Sequence, residues 1–153
     1  NCYKSEKFGE NIKEIIIQYC EKISNESPRN DYAIKTVAKA LFNIERYEES
    51  IQIVDSFNEP SHFMLRWKAY SELCSNKEEC VITAEKVVQL NENDPGTERY
   101  LSSNYALLSD CYRFKNDKEK CLEYLDKAIF ICEDAKYKMQ LEVKRQQYKN
   151  KEK

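Results

Sequence analysis

Residues 102–135 read SSNYALLSDCYRFKNDKEKCLEYLDKAIFICEDA. Tyr105, Leu108, Ser109 and Tyr112 recur at three- and four-residue steps, the spacing that lines one face of an α-helix. Asn116-Asp117 interrupts the pattern, and Cys121, Leu122, Leu125, Ala128 and Ile129 resume it. The stretch is therefore helix, turn, helix. Lys118-Glu119-Lys120-Cys121, where the second helix opens, has two counterparts upstream: Tyr47-Glu48-Glu49-Ser50 and Lys77-Glu78-Glu79-Cys80. Each ends in a small residue and follows an apolar helical stretch. Helix pairs of this size cannot bury their apolar faces alone, so three in succession must stack.

Working outward, Phe8, Ile12, Ile15, Ile16, Tyr19, Cys20 and Ile23 form one apolar stripe, which predicts a first helix over about 6–24. Ser27-Pro28 reads as an N-cap followed by proline at the first helical position. A helix near 29–44 then buries Ile34, Val37, Ala38 and Leu41, and one over about 47–57 presents Ile51, Val54 and Phe57. Pro60 breaks it and Ser61 caps the next, which carries Met64, Trp67, Tyr70 and Leu73. The stretch 91–97 is the most loop-like segment, with Thr97 placed to cap the helix that follows. It explains why Ser50 and Cys80 are 30 residues apart and Cys80 and Cys121 are 41 apart. Tyr137, Leu141, Lys144 and Tyr148 predict a last helix over about 136–150, able to cap an open stack.

Composition agrees with solvated helices around a modest core. The chain has 153 residues, 41 % of them apolar and 34 % charged, with only two glycines and three prolines. So few turn formers argue against a sheet protein built on hairpins. A net charge of −2 provides no field that favours nucleic acid or membrane. Between Lys136 and Lys153, seven basic residues face two glutamates, a local +5 that leaves −7 elsewhere. Such a tail could touch phosphates, but a solvated terminal helix accounts for it.

No stretch approaches the ~18 apolar residues of a membrane span. Membrane attachment would require Cys2, since Cys2-Tyr3-Lys4-Ser5 resembles the acylated start of a bacterial lipoprotein. The reading preferred is a cytoplasmic chain; the alternative is a lipid-anchored envelope protein with an assembly or toxin-immunity role. The seven cysteines contain no CxxC pair, which argues against zinc. Reduced thiols acting as small buried groups are expected, whereas an oxidising compartment could pair six and leave Cys2 free.

The stretch 102–135 resembles a tetratricopeptide repeat. Tyr105 matches the first bulky position, Leu108-Ser109 the leucine–glycine pair, and Tyr112 the tyrosine that closes the first helix. Cys121 and Ala128 stand at the small positions with Leu125 between them. Ile34, Val37-Ala38, Tyr47, Ser50, Val54 and Phe57 make a looser copy, and Tyr70, Cys80, Ala84 and Val87 a poorer one. The resemblance implies an all-α solenoid of about three repeats, at 29–59, 61–92 and 98–135, in one domain with a flanking helix at each end. It also implies a groove lined by first helices that holds a peptide or helix of a protein partner. Carried over by position, the groove residues are Tyr32, Lys35, Lys39, Phe42, Asn43, Met64, Lys68, Ser71, Glu72, Ala106, Asp110 and Arg113. Chaperone-binding members clamp a terminal carboxylate; Lys35 fits that set, but Leu65, Ser103 and Leu107 replace its polar residues.

Nothing in the chain calls for catalysis or a cofactor. His62, the single histidine, follows a helix cap where an exposed side chain is expected, and Gly9 and Gly96 stand alone without a phosphate loop. Glu48-Glu49 and Glu78-Glu79 sit at helix starts, where the macrodipole favours them. The tyrosines and Trp67 at helical spacing read as core and groove lining rather than base-stacking platforms. A second copy of the chain is a rival occupant of the groove or of an exposed terminal stripe.

Overall fold

The structure is a computed structural model that describes residues 30–151 and, ahead of them, residues 14, 15, 18, 19, 21–23, 25 and 26, all nine of which are helical. Cys2, Phe8, Ile12, Ile16, Cys20 and the Ser27-Pro28 cap lie outside the described residues, as does most of the stripe expected over 6–24. Among the described residues there is no strand. Seven α-helices follow Asn30: α1 Asp31–Asn43, α2 Tyr47–Asp55, α3 His62–Cys74, α4 Cys80–Glu92, α5 Leu101–Phe114, α6 Lys118–Ile131 and α7 Ala135–Asn150. A single 3-10 turn, Glu98–Tyr100, precedes α5.

Asn30, Asp117 and Asp134 start their helices through a side-chain oxygen that accepts a backbone N–H, from Ala33, Lys120 and Tyr137 respectively. Asn30 starts α1 two residues later than the expected bound near 29. Ser61 caps α3, accepting from Met64 N while its hydroxyl donates to Asp31. Thr97 does not cap α5, whose side-chain cap is missing. Its hydroxyl donates instead to Asp94 O at 2.6 Å and accepts from Asn91 Nδ2 at 2.9 Å. Asn91 and Glu92, read as loop, complete α4; Asn91 is buried and its amide ties the loop that follows.

The three turns inside the pairs share one device. Glu45, Asn76 and Asn116 adopt φ of 64°, 60° and 63°. In each, the next residue donates back across the end of the helix: Arg46 to Leu41 O at 2.9 Å, Lys77 to Glu72 O at 2.8 Å, Asp117 to Tyr112 O at 2.9 Å. This left-handed closure satisfies helix-end carbonyls that would otherwise be orphaned. Seven residues before each turn residue stand Ala38, Ala69 and Ser109, and after it come Ser50, Cys80 and Cys121. All six are essentially without exposure. Helices cross there because no larger side chain holds them apart, and hydroxyls stitch two of the crossings. Ser50 Oγ donates to Ala38 O at 2.8 Å, and Ser109 Oγ to Cys121 O at 2.7 Å.

The pairs stack in order, and the stack is asymmetric. The first helices touch one another, α1 against α3 and α3 against α5. No contact of comparable extent joins α2 to α4 or α4 to α6. A layer whose first helices approach and whose second helices spread curves toward the first helices, as an α-solenoid requires. The core follows this path, from Ile34, Val54, Met64 and Val87 at one end to Leu107, Leu108, Leu125 and Leu141 at the other. α7 packs on α6 and reaches α5 by its side chains.

Candidate functional site

The expected groove residues divide into three groups. On α1, Tyr32, Lys39 and Asn43 are exposed and Lys35 and Phe42 half-buried. Lys35 Nζ lies 4.5 Å from the centre of the Tyr32 ring and Lys39 Nζ 5.6 Å from that of Trp67. On α5, Asp110 and Arg113 meet the last helix. Asp110 accepts from Tyr148 OH at 3.0 Å and pairs with Lys144 at 2.6 Å. The Arg113 guanidinium sits 3.9 Å from the centre of the Tyr148 ring. Ala106 is buried.

The middle group needs correction. Met64 has no exposure and belongs to the core with Ile34 and Val54. Ser71 and Glu72 are buried at 0 % and 4 % exposure, and Lys68 is drawn to the second-helix side by Asp55 at 2.6 Å. A shift of register accounts for one residue of the offset. Five residues separate the left-handed residue from the small residue in the first and last pairs (Glu45 to Ser50, Asn116 to Cys121), but four in the middle pair (Asn76 to Cys80). The first turn of α4 is tightened to compensate, with i→i+3 bonds from Cys80 to Lys77 O and from Val81 to Glu78 O. Counting back from the turns instead, the counterparts of Lys35, Lys39, Phe42 and Asn43 are Arg66, Tyr70, Leu73 and Cys74. That is two residues, or about 200° of helix, from the expected set. These four are half-buried or exposed.

The corrected set makes a continuous surface across α1 and α3. Phe42 contacts the rings of Tyr47, Trp67 and Tyr70 at centroid separations of 5.7, 5.6 and 5.6 Å, and Trp67 lies 5.7 Å from Tyr70. Arg66 lies 5.1 Å from the Tyr70 ring centre and 5.8 Å from that of Trp67. Its guanidinium donates to Ser103 Oγ at 3.1 Å, to Asn104 Oδ1 at 2.5 Å and to Tyr70 OH at 3.3 Å. Asn104, buried, donates in turn to Asn91 Oδ1 at 2.8 Å, and Asn91 to Thr97. Arg66 is thus fixed by α5 and by the loop between α4 and α5. No signal in the sequence near Arg66 pointed to this; only the turn register does.

His62 also departs from expectation. It is 4 % exposed, with its Nε2 2.9 Å from Asp94 Oδ2 and its ring 4.1 Å from that of Phe63. A buried ring held by a loop carboxylate fastens the start of α3 to the end of α4. Glu72 is the buried acid between α3 and α4. Burial pushes its carboxyl above the usual range, while the Thr83 hydroxyl and Lys68 pull the other way, and its Oε1 lacks a protein partner. Five described cysteines, Cys74, Cys80, Cys111, Cys121 and Cys132, are unbridged, and Cys111 is held well above the usual thiol range by its neighbour Cys80 and by burial. Among the described residues no group of histidine, cysteine and acidic side chains is arranged to hold a metal, and no helix is long and apolar enough to cross a membrane.

Helix pairs closed by left-handed turns, crossing at small residues and stacked with their first helices together, define a tetratricopeptide-like α-solenoid. A solved structure described as "MamA RS-1 ArsTM double mutant", itself of tetratricopeptide type, shares this fold. It matches at a TM-score of 0.62 over 94 % of this chain and 93 % of that one, with 15 % identity. No protein-family model matches the sequence. No curated protein matches it either.

Proposed function

We propose that this chain is a non-catalytic tetratricopeptide-type adaptor that holds a peptide or helix of a protein partner along the row of first helices. The observation that supports this reading is the aromatic patch of Phe42, Trp67 and Tyr70. These rings stay half-buried although the core beneath is filled by Ile34, Met64 and Val54. Large rings held in place by one another, open on one side, are the anchors on which interface energy concentrates. The likeness to MamA supports the fold, and in this reading the patch lines the inner side of a stack that curves toward its first helices. Lys35, Lys39 and Asn43 from α1 flank it, with Arg66 from α3 and Asp110 and Arg113 further along.

The test is capture of partners by the native chain and by Phe42→Ala/Tyr70→Ala, with helicity and melting followed by circular dichroism. The double variant should retain helicity and lose the captured partner. Undiminished capture by a variant lacking both rings would place binding on another face.

A further inference from the structure

Among the described residues, ion pairs join second helices and turns (Lys77 with Glu48, Arg46 with Glu49), α2 to α3 (Lys68 with Asp55), and the last helix to α5 and α6 (Lys144 with Asp110, Arg145 with Asp126). The row of first helices is different. Among the described residues, no carboxylate lies within ion-pair distance of Lys35, Lys39, Arg66 or Arg113. Lys35 and Lys39 rest on aromatic rings, and Arg113 lies over Tyr148. Arg66 is held by three neutral oxygens, which orient the guanidinium without cancelling its charge. In a chain of net −2, four cations without counter-charges share the inner row with one acid, Asp110, which Lys144 already neutralises.

We infer that the partner segment held on this row is acidic, an Asp/Glu-rich peptide carrying at least one large apolar side chain. The carboxylates meet Lys35, Lys39 and Arg66, and the apolar side chain seats on Phe42, Trp67 and Tyr70. This rests on the adaptor reading above and adds the chemistry of its ligand. Charge complementarity of this kind raises the encounter rate and rejects basic competitors. A nucleic acid is the other polyanion that could combine charge with stacking. It fits less well, because Phe42, Trp67 and Tyr70 pack against one another at centroid separations of 5.6–5.7 Å, tilted by 31–44°, and leave no gap into which a base could stack.

The experiment is selection of a random twelve-residue peptide library on the immobilised native protein, followed by titration of the selected peptides. Trp67 is the one tryptophan in the chain, so its emission reports on this patch directly. Selected peptides are expected to be net negative with a large apolar residue and to shift Trp67 emission. Their affinity should fall at least about tenfold in Lys35→Glu/Lys39→Glu and fall steeply with salt. Arg66→Gln, which keeps donors toward Ser103 and Asn104, should weaken binding in the same direction. Neutral or basic selected peptides that still depend on Phe42 and Tyr70 would overturn the acidic ligand and leave the adaptor reading standing. Peptides indifferent to Phe42, Tyr70 and the cations alike would overturn both. A single-stranded oligonucleotide that binds more tightly than the acidic peptides and displaces them would reassign the row to nucleic acid.

Discussion

The last and middle helix pairs follow the same backbone path through different interiors. Both carry a residue without exposure seven positions before the turn, Ala69 in one and Ser109 in the other, and both open the second helix near a buried cysteine. Four residues before the turn the last pair has Tyr112, whose hydroxyl donates to Glu85, while the middle pair has the buried carboxyl of Glu72. Four residues after the buried cysteine the last pair fills its centre with Leu125, and the middle pair has Ala84. Turn and crossing residues therefore fix the path of the chain. What fills the remaining space is free to differ, and in the middle pair it includes an acid with an unsatisfied oxygen.

The largest expected effect attacks the well-filled pair. Leu125 has no exposure, so Leu125→Ala leaves a cavity in the last pair and should cost about 3 kcal/mol in denaturant unfolding. A loss under about 1 kcal/mol would mean that α5 and α6 are less tightly joined than their packing indicates.

Glu72 tests the other side of the comparison. With its folded pKa raised, the folded state keeps a proton that the unfolded chain has already released. Its contribution is then most favourable below the unfolded carboxyl pKa and is lost as pH rises through the folded value. Glu72→Gln cannot ionise, so it should stabilise the protein by about 1 kcal/mol near pH 8. The gap should narrow as pH falls toward 5 in melts of the two proteins side by side. A variant less stable than the native chain at pH 8 would show Glu72 to be a favourable ion.

The smallest effect concerns the turns. Glu45, Asn76 and Asn116 share one left-handed backbone, but asparagine adopts it more readily than glutamate. Glu45→Asn should therefore stabilise by a few tenths to about 1 kcal/mol, and Asn116→Glu should cost a similar amount. Equal melting of all three proteins would remove the turn from the list of features that fix the path.

These contrasts also explain what could be read in advance. Helix pairs, their stacking and the small crossing positions Ser50, Cys80 and Cys121 were legible, because close approach of two helices leaves a mark at fixed spacing. On α1 and α5 the turns keep five residues to the small position, so the spacing read from the sequence matches the spacing of the structure there. The face of α3 was not legible. One residue fewer before Cys80, absorbed by a tightened turn, gives no compositional signal, and it accounts for one of the two residues by which Met64 and Lys68 miss Arg66 and Tyr70. The burial of His62 was equally hidden, because its partner Asp94 lies 32 residues on, in a loop whose course the sequence does not dictate.

The spread of the second helices has its own consequence. Each of α2 and α4 leans on first helices and makes no extensive contact with the next second helix along the outer side. Substitutions, or an added turn of helix, on that flank can accumulate one pair at a time without obliging the neighbouring pair to change in step. Drift is cheap on the outside of the bow and constrained along its inner wall.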